Sequence, residues 1–148
     1  MRELLPKAFR RPVSEGEEKP FVAIVAASLK VGQPFDASLR TGIKSVLTSP
    51  KFLYFRETSG ALDDFALASR LSYFLWSSMP DQALFALARN GELRKPDVLR
   101  AQVERMLRHP KAQAFTENFT GQWLALRNIA ATAPDKTLYP DYEELLQW

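Results

Sequence analysis

The sequence contains no cysteine, one histidine and six glycines among its 148 residues. Without cysteine, the chain forms no disulfide, thiolate zinc site, iron–sulfur cluster or covalent link to a c-type haem. A transition-metal site with a single histidine and no thiolate is also unusual. The longest apolar runs, such as FVAIVAASL, are about half the length of a membrane-spanning helix, which needs roughly 20 residues. We therefore predict no membrane span and no cofactor bound by this chain.

The common catalytic motifs are absent as well. The sequence has no glycine-rich nucleotide loop, no HExxH pair and no EF-hand loop. A serine–histidine–aspartate arrangement would have to use His109, which lies in the proline-flanked turn RHPKA. The adjacent acidic residues Asp63 and Asp64 point about 100° apart on a helix, and carboxylates in a first turn complement the helix dipole. The sequence therefore favours a chain without catalysis of its own.

The net charge of +3 is modest, and the composition, 46% hydrophobic and 25% charged, is that of an ordinary globular protein. The positive excess lies partly in KAFRRP near the start of the chain. No basic stripe continues along any predicted helix, so nucleic-acid binding is disfavoured. We interpret this segment as a solvated end beside a helix, with binding to an acidic partner as the alternative.

Ten prolines divide the sequence, and most stand where a helix begins, since the first helical turn does not need their N–H. Between them the apolar period is close to 3.6 residues, and no segment alternates like a strand. We predict an all-α fold, a compact irregular array of six or seven short helices with no significant sheet. Ser59-Gly60 marks the seam between an N-terminal helical subdomain, residues 1–58, and a C-terminal helical subdomain, residues 61–148.

Capping signals locate the helix starts. The predicted helices begin near Ser14, Asp36, Asp63, Pro80-Asp81, Pro96, Pro110 and Pro140-Asp141. Ser14 and Glu17 have the spacing of a capping box, while Pro20 indicates either a kink or a later start. The last helix is still running at Trp148, which suggests that the C-terminal subdomain is truncated.

The apolar periodicity also predicts which side chains face the core. The helix from about Asp63 to Trp76 is apolar on nearly all sides and is expected at the centre of the fold. The other residues expected to face inward are Phe21, Ile24, Val25, Ser28, Leu29, Leu39, Ile43, Val46, Leu47, Leu99, Val103, Met106, Leu107, Ala112, Phe115, Phe119, Trp123 and Leu126.

A polar set inside these apolar helices is the candidate site. Its members are Arg70, Tyr73, Trp76, Asn118, Gln122 and Trp123. A buried, unpaired guanidinium costs several kcal/mol, roughly, so Arg70 must have acceptors. We expect it between central helices, bound by Asn118 or Gln122 or by the aspartates at 63–64. The alternative is that Arg70 binds a ligand carboxylate or sugar, with Trp76 or Trp123 as a stacking platform.

Four segments of the chain carry a family resemblance: KAFRRPVSEGE, SVLTSPKFLYFRE, LDDFALASRLSYFLWSSMPD and LRAQVERMLRHPKAQAFTENFTGQWLALRNI. The chain resembles uncharacterised helical domains of large, mostly planctomycete, secreted or surface proteins. Residues 1–58 resemble one such domain, and residues 61–148 resemble the front part of the next.

The resemblance implies a context rather than a reaction. Proteins of this kind also carry c-type cytochrome domains and sometimes carbohydrate-binding modules, so c-type haem is expected in neighbouring domains and not here. The implied location is periplasmic or cell-surface, and the implied partners are other domains of the same polypeptide, with carbohydrate as a further possibility. No catalytic residue is carried over, because the activity of these domains is not established.

Three functional hypotheses follow. The first is a non-catalytic helical scaffold or interaction segment of a larger exported, cytochrome-linked protein. The second is part of an enzyme acting on a polysaccharide or another polymer, with a cleft completed by residues outside this chain. The third is a small cytosolic helical protein that binds an acidic partner.

Overall fold

The N-terminal region consists of four helices. The computed structural model describes residues 1–55, 57, 59–126, 134–135 and 137–142. The first of these ranges contains α1 (Leu4–Phe9), α2 (Glu15–Lys30), α3 (Phe35–Leu47) and α4 (Pro50–Leu53). α2 and α3 pack side by side, and α1 and α4 contact both α3 and each other.

The start of α2 agrees with the sequence signal. Ser14 is the N-cap residue, and its backbone N–H donates to Oε2 of Glu17 at 3.4 Å, so the predicted capping box is present. α2 begins before Pro20 and continues through it. The later start is therefore wrong. A proline at this position removes one backbone hydrogen bond, to the carbonyl of residue 16, and the other turns keep theirs.

The core of the N-terminal region is small. Leu5, Ala8 and Phe9 of α1 are buried against Val46 of α3. Phe21 of α2 packs on Phe9, with ring centroids 5.7 Å apart. α1 was not predicted as a helix, because six residues are too few to show a 3.6-residue period, yet it supplies most of this core.

The C-terminal region is built around one central helix. Its elements among the described residues are α5 (Asp64–Trp76), α6 (Gln82–Arg89), α7 (Pro96–Leu107), a 3-10 helix (Pro110–Ala112) and α8 (Gln113–Trp123). α5 contacts all the others, which confirms its predicted central position. The buried cluster of this region has no residue in common with that of the N-terminal region.

Three helix boundaries in this region are confirmed. The Asp63 carboxylate accepts a hydrogen bond from the N–H of Ala66 at 2.7 Å, and that of Asp81 accepts one from Leu84 at 3.0 Å. Both residues are therefore N-caps. α6 ends at Arg89 with Asn90 as its C-cap, and Gly91 follows with a left-handed φ of 67°.

For several helices, the residues predicted to face inward are buried in the middle of the helix but exposed at its end. Val46 and Met106 are fully buried, whereas Leu47 and Leu107, each the last residue of its helix, are 42% and 49% exposed. These residues are exposed because the end of each helix extends beyond the neighbouring helices that cover its middle. Ile24 and Leu29 are exposed for another reason, since α2 packs on α3 along one side only.

The largest correction concerns α8. Phe119, Trp123 and Leu126 were expected to face inward, but they are 47%, 72% and 44% exposed. α8 packs on α5 and the 3-10 helix, with Gly121 as its buried residue. Phe119 and Trp123 lie at an open edge of this contact, where the described residues leave both rings partly uncovered.

The all-α prediction is confirmed, since the described part of the chain contains helices and no strand. The eight α-helices found there exceed the predicted six or seven because of the short α1 and α4. None of these helices is long and apolar enough to cross a membrane. Most of the helix predicted from Pro140-Asp141 lies outside the described residues.

Candidate functional site

Arg70 lies on an exposed side of α5, so the prediction of a buried arginine is wrong. Its Nε donates to Oε1 of Glu57 at 2.7 Å, and its Nη2 donates to the other carboxylate oxygen. These hydrogen bonds lower the pKa of Glu57 and raise the pKa of Arg70. Arg70 is 59% exposed and ties α5 to the segment that connects the two regions. Asn118 and Gln122 are not its partners.

Trp76 is a core residue rather than a ligand platform. It is 4% exposed, and its Nε1 donates to the main-chain oxygen of Met106 at 3.0 Å. The cationic groups of Arg105 and Lys111 lie 5.5 and 5.3 Å from the ring centroid, within the range of cation–π attraction. The His109 ring lies 4.8 Å away. The indole is thus enclosed by its own chain.

The other four predicted site residues lie together in one cleft between α5 and α8, which we call the aromatic cleft. The C-terminal end of α5 contributes Tyr73, Phe74 and Ser77. α8 contributes Phe115, Asn118, Phe119, Gln122 and Trp123. The cleft has a volume of ≈ 710 Å³ and is open to solvent.

A row of rings forms the apolar wall of the aromatic cleft. Phe115, Phe119 and Trp123 are four residues apart along α8, so they lie on one side of the helix. Consecutive ring centroids along this row are 5.4 and 5.8 Å apart, and Phe74 joins it at 5.0 Å from Phe115. Phe74 is 60% exposed and Trp123 is 72% exposed, which leaves large aromatic surfaces in contact with water.

Polar groups lie beside the row of rings. The amide Nδ2 of Asn118 donates to Oγ of Ser77 at 2.8 Å. Ser77 reaches α8 because it caps α5 in the left-handed region, with φ 49°. Gln122 follows Asn118 one turn later and is exposed, and its side-chain amide has no hydrogen-bond partner among the described residues. An amide can donate and accept at the same time.

Phe74 and Ser77 were missed as site residues by the sequence analysis. Phe74 had a usable signal, because it neighbours Tyr73 on a helix that is apolar on nearly all sides, and not every side of such a helix can be covered. Ser77 had none, since only its left-handed backbone brings it to Asn118.

The chemistry of the aromatic cleft is that of binding. The eight lining residues that the structure describes are all uncharged. The Ser77 hydroxyl has an amide as its neighbour, which is not a general base for nucleophilic catalysis. Within the part of the chain that the structure describes, no group of three His, Cys, Asp or Glu side chains is placed to hold a metal ion. The cleft is therefore equipped for ring stacking and hydrogen bonding.

The basic start of the chain is not a solvated end, contrary to the prediction. Arg10 is 7% exposed, and its Nη2 donates to the carbonyls of Phe52 at 3.0 Å and Tyr54 at 3.3 Å. Its guanidinium carbon also lies 4.9 Å from the centroid of Phe55. Arg10 therefore links the end of α1 to α4 and to the residues that follow α4.

Glu17 forms ion pairs with two further cations of this region, Arg11 and Lys51. Its Oε1 accepts hydrogen bonds from Arg11 at 2.7 Å and from Lys51 at 2.8 Å. These bonds hold the pKa of Glu17 far below its ordinary value. A second cleft of ≈ 210 Å³, lined by Arg10, Arg11 and Lys51, thus presents cations that are already engaged by the protein itself.

Two known protein families match parts of this sequence. Residues 62–148 match the profile of the family described as PSD4, protein of unknown function (DUF1592). The chain belongs to this family. Residues 1–57 match a second family, PSD5, protein of unknown function (DUF1595). The resemblance to uncharacterised domains is thus confirmed, and in this PSD4 member the aromatic cleft lies within the matched range. No curated protein and no solved structure gave a match.

Proposed function

We propose that the chain is a non-catalytic helical interaction segment of a larger exported, cytochrome-linked protein, and that it binds its partner through the aromatic cleft. The observation that carries the proposal is the exposure of a continuous row of rings. Phe119 and Trp123 leave 47% and 72% of their surfaces in water, although both pack against another ring. Aromatic residues grouped in this way are typical of binding surfaces, where tryptophan is a frequent energetic centre.

The larger context rests on the family resemblance. We place the chain in a periplasmic or cell-surface protein in which c-type haem is held by neighbouring domains. Residues 1–58 and 61–148 would serve as consecutive helical subdomains that carry the cleft. The other domains of the same polypeptide would then be permanent neighbours, while the aromatic cleft faces outward to a separate partner.

A role in an enzyme acting on a polymer is the second candidate. It is favoured by one observation, the amide and hydroxyl groups beside the rings, which suit a polyhydroxylated chain. In that case residues outside this chain would supply the reactive groups. The third hypothesis, binding of an acidic partner by the basic start of the chain, loses its support because Arg10 and Arg11 are engaged internally.

A co-sedimentation experiment tests the proposal. The purified chain is mixed with the insoluble envelope fraction of the cells that encode it, and the amount carried down by centrifugation is measured. We expect the wild-type chain to sediment and the double variant Phe119→Ala/Trp123→Ala to remain in the supernatant. Release of soluble fragments from the envelope is measured in parallel and is expected to be zero.

The matched control is Phe35→Ala. Phe35 is 67% exposed at the start of α3 and is not a residue of the aromatic cleft, so it removes an equally accessible ring elsewhere. This variant should sediment like the wild type. Equal loss of binding in the control, or no sedimentation of any form, would overturn the proposal, and product release by the chain alone would overturn its non-catalytic part.

A further inference from the structure

We infer that the partner of the aromatic cleft is a neutral polysaccharide chain. The inference rests on the proposed function, because it names the chemical class of the ligand for the same cleft. It is carried by the composition of the cleft wall, the arrangement of rings and amides, and the length of the row of rings.

The first argument is the absence of charge in the described part of the cleft wall. The eight described residues that line the aromatic cleft are all neutral. The cation of α5, Arg70, donates its Nε and Nη2 hydrogen bonds to the carboxylate of Glu57. A phosphate, sulfate or carboxylate ligand would therefore lose water without gaining an ion pair from the described cleft wall, which is unfavourable. A neutral ligand avoids this cost.

The second argument is that a line of amides runs beside the row of rings on α8. Phe115, Phe119 and Trp123 follow one line on α8, and Asn118 and Gln122, also four residues apart, follow a neighbouring line. A protein helix docked in a groove contributes a continuous apolar stripe and needs few polar partners. A pyranose ring has an apolar face of C–H groups and an edge of hydroxyls, and so matches a ring row flanked by amides.

The third argument is the donor and acceptor capacity of these amides. A hydroxyl both donates and accepts, and so does the side-chain amide of Gln122. Asn118 is positioned rather than mobile, since its Nδ2 is bonded to Ser77 at 2.8 Å. The polar side of the cleft therefore combines a fixed amide with an exposed one.

The length of the row indicates a polymer rather than a single sugar. From Phe115 to Trp123 the helix rises about 12 Å, at 1.5 Å per residue. This distance exceeds the width of one sugar ring, and the cleft is open rather than closed around a small molecule. Affinity should therefore increase with the number of linked sugars.

Binding measurements on defined polysaccharides test the inference. The probes are a neutral polysaccharide fraction prepared from the same envelope after protease and lipid extraction, soluble neutral β-glucan oligosaccharides of increasing length, and a sulfated polysaccharide. We expect the neutral probes to bind with little dependence on salt, and longer chains to bind more tightly. Trp123→Ala and Phe119→Ala should each weaken binding by roughly tenfold or more, as for central aromatic residues of an interface. Phe35→Ala should leave it unchanged.

The remaining outcomes separate this inference from the proposed function. Envelope binding that disappears after protease treatment would identify a protein partner, which overturns the inference and leaves the interaction role standing. Binding of the sulfated probe alone, weakened by salt, would overturn the inference as well. Failure to bind both the intact envelope and the neutral fraction would overturn both. Folding of each variant is checked by its melting temperature, which surface substitutions should leave nearly unchanged.

Discussion

The two regions of the molecule each use one arginine to hold the segment between them, and they do so in opposite ways. Arg10 of the N-terminal region is buried and bonds main-chain carbonyls of residues 52 and 54. Arg70 of the C-terminal region is exposed and bonds the carboxylate of Glu57. Between them, the ring of Phe55 lies 4.9 Å from the Arg10 guanidinium and 5.2 Å from the Tyr73 ring.

From this difference we expect burial, rather than residue type, to decide how much such a contact stabilises the fold. Water cannot readily reach a buried guanidinium to accept its hydrogen bonds. The carbonyls bonded to that guanidinium likewise have few other donors within reach. An exposed ion pair competes with water and salt, and its net contribution is small. The same substitution at the two arginines should therefore have very different effects.

Arg10→Met should have the largest effect. The variant leaves the carbonyls of Phe52 and Tyr54 without their donor and removes a cation from the face of Phe55. We expect the free energy of unfolding, measured by urea denaturation, to fall by about 2–4 kcal/mol. Arg10→Lys keeps the positive charge but lacks the planar set of guanidinium N–H donors. It should therefore recover only part of the lost free energy of unfolding. A decrease smaller than about 0.5 kcal/mol would contradict the structural role of Arg10.

Trp76→Phe tests the corresponding buried anchor of the C-terminal region. The substitution leaves a cavity in the core and removes the hydrogen bond to the main-chain oxygen of Met106. We expect a loss of about 1–3 kcal/mol in the free energy of unfolding. Trp123→Phe is the matched control, and because Trp123 is 72% exposed, its effect should stay within about 0.5 kcal/mol. Equal losses for the two variants would mean that Trp123 is covered in solution.

The carboxylate of Glu17 should make the N-terminal region sensitive to acid. Its pKa is lowered in the folded protein, mainly by the hydrogen bonds from Arg11 and Lys51. A lowered pKa stabilises the fold above the unfolded value of about 4.3, and this contribution is lost as the pH falls toward the folded value. At pH 7, Glu17→Gln should be less stable than the wild type by up to about 1 kcal/mol.

The pH dependence distinguishes this effect from a change in packing. The difference between the wild type and Glu17→Gln should shrink when the free energy of unfolding is measured at successively lower pH below about 5. Glu15→Gln, an exposed residue of the same helical turn, is the control and should show no such trend. A difference that stays constant down to pH 3 would show that the carboxylate charge is not involved.

Local signals predicted the parts of the fold that are decided locally. Ser14, Asp63 and Asp81 cap helices because a side chain bonds a backbone group only three residues away. α5 was predicted at the centre because its apolar residues surround it. These inferences need no knowledge of neighbouring helices, and the structure confirms them.

Tertiary placement could not be predicted in the same way. Arg70 stands among apolar neighbours and Arg10 among basic ones, so sequence context suggested the wrong one as buried. The periodicity of α8 located a stripe containing Phe119 and Trp123 but did not specify whether another helix covers it. Four of the six candidate site residues nevertheless line one cleft, because Tyr73 and the predicted residues of α8 lie where α5 and α8 meet.

Arg70→Met should have the smallest effect, and it sharpens the comparison between the two arginines. The Glu57 side chain is 23% exposed in the ion pair, and removal of the exposed guanidinium opens its carboxylate to water. The melting temperature should therefore stay within experimental error of the wild type. Raising the salt concentration should produce no difference between the two proteins, because the wild-type ion pair contributes little to begin with. A marked decrease in melting temperature would mean that Arg70 is less exposed in solution than its 59% accessibility indicates. The contrast with Arg10 would then reflect the acceptors, main-chain carbonyls against a carboxylate, rather than burial.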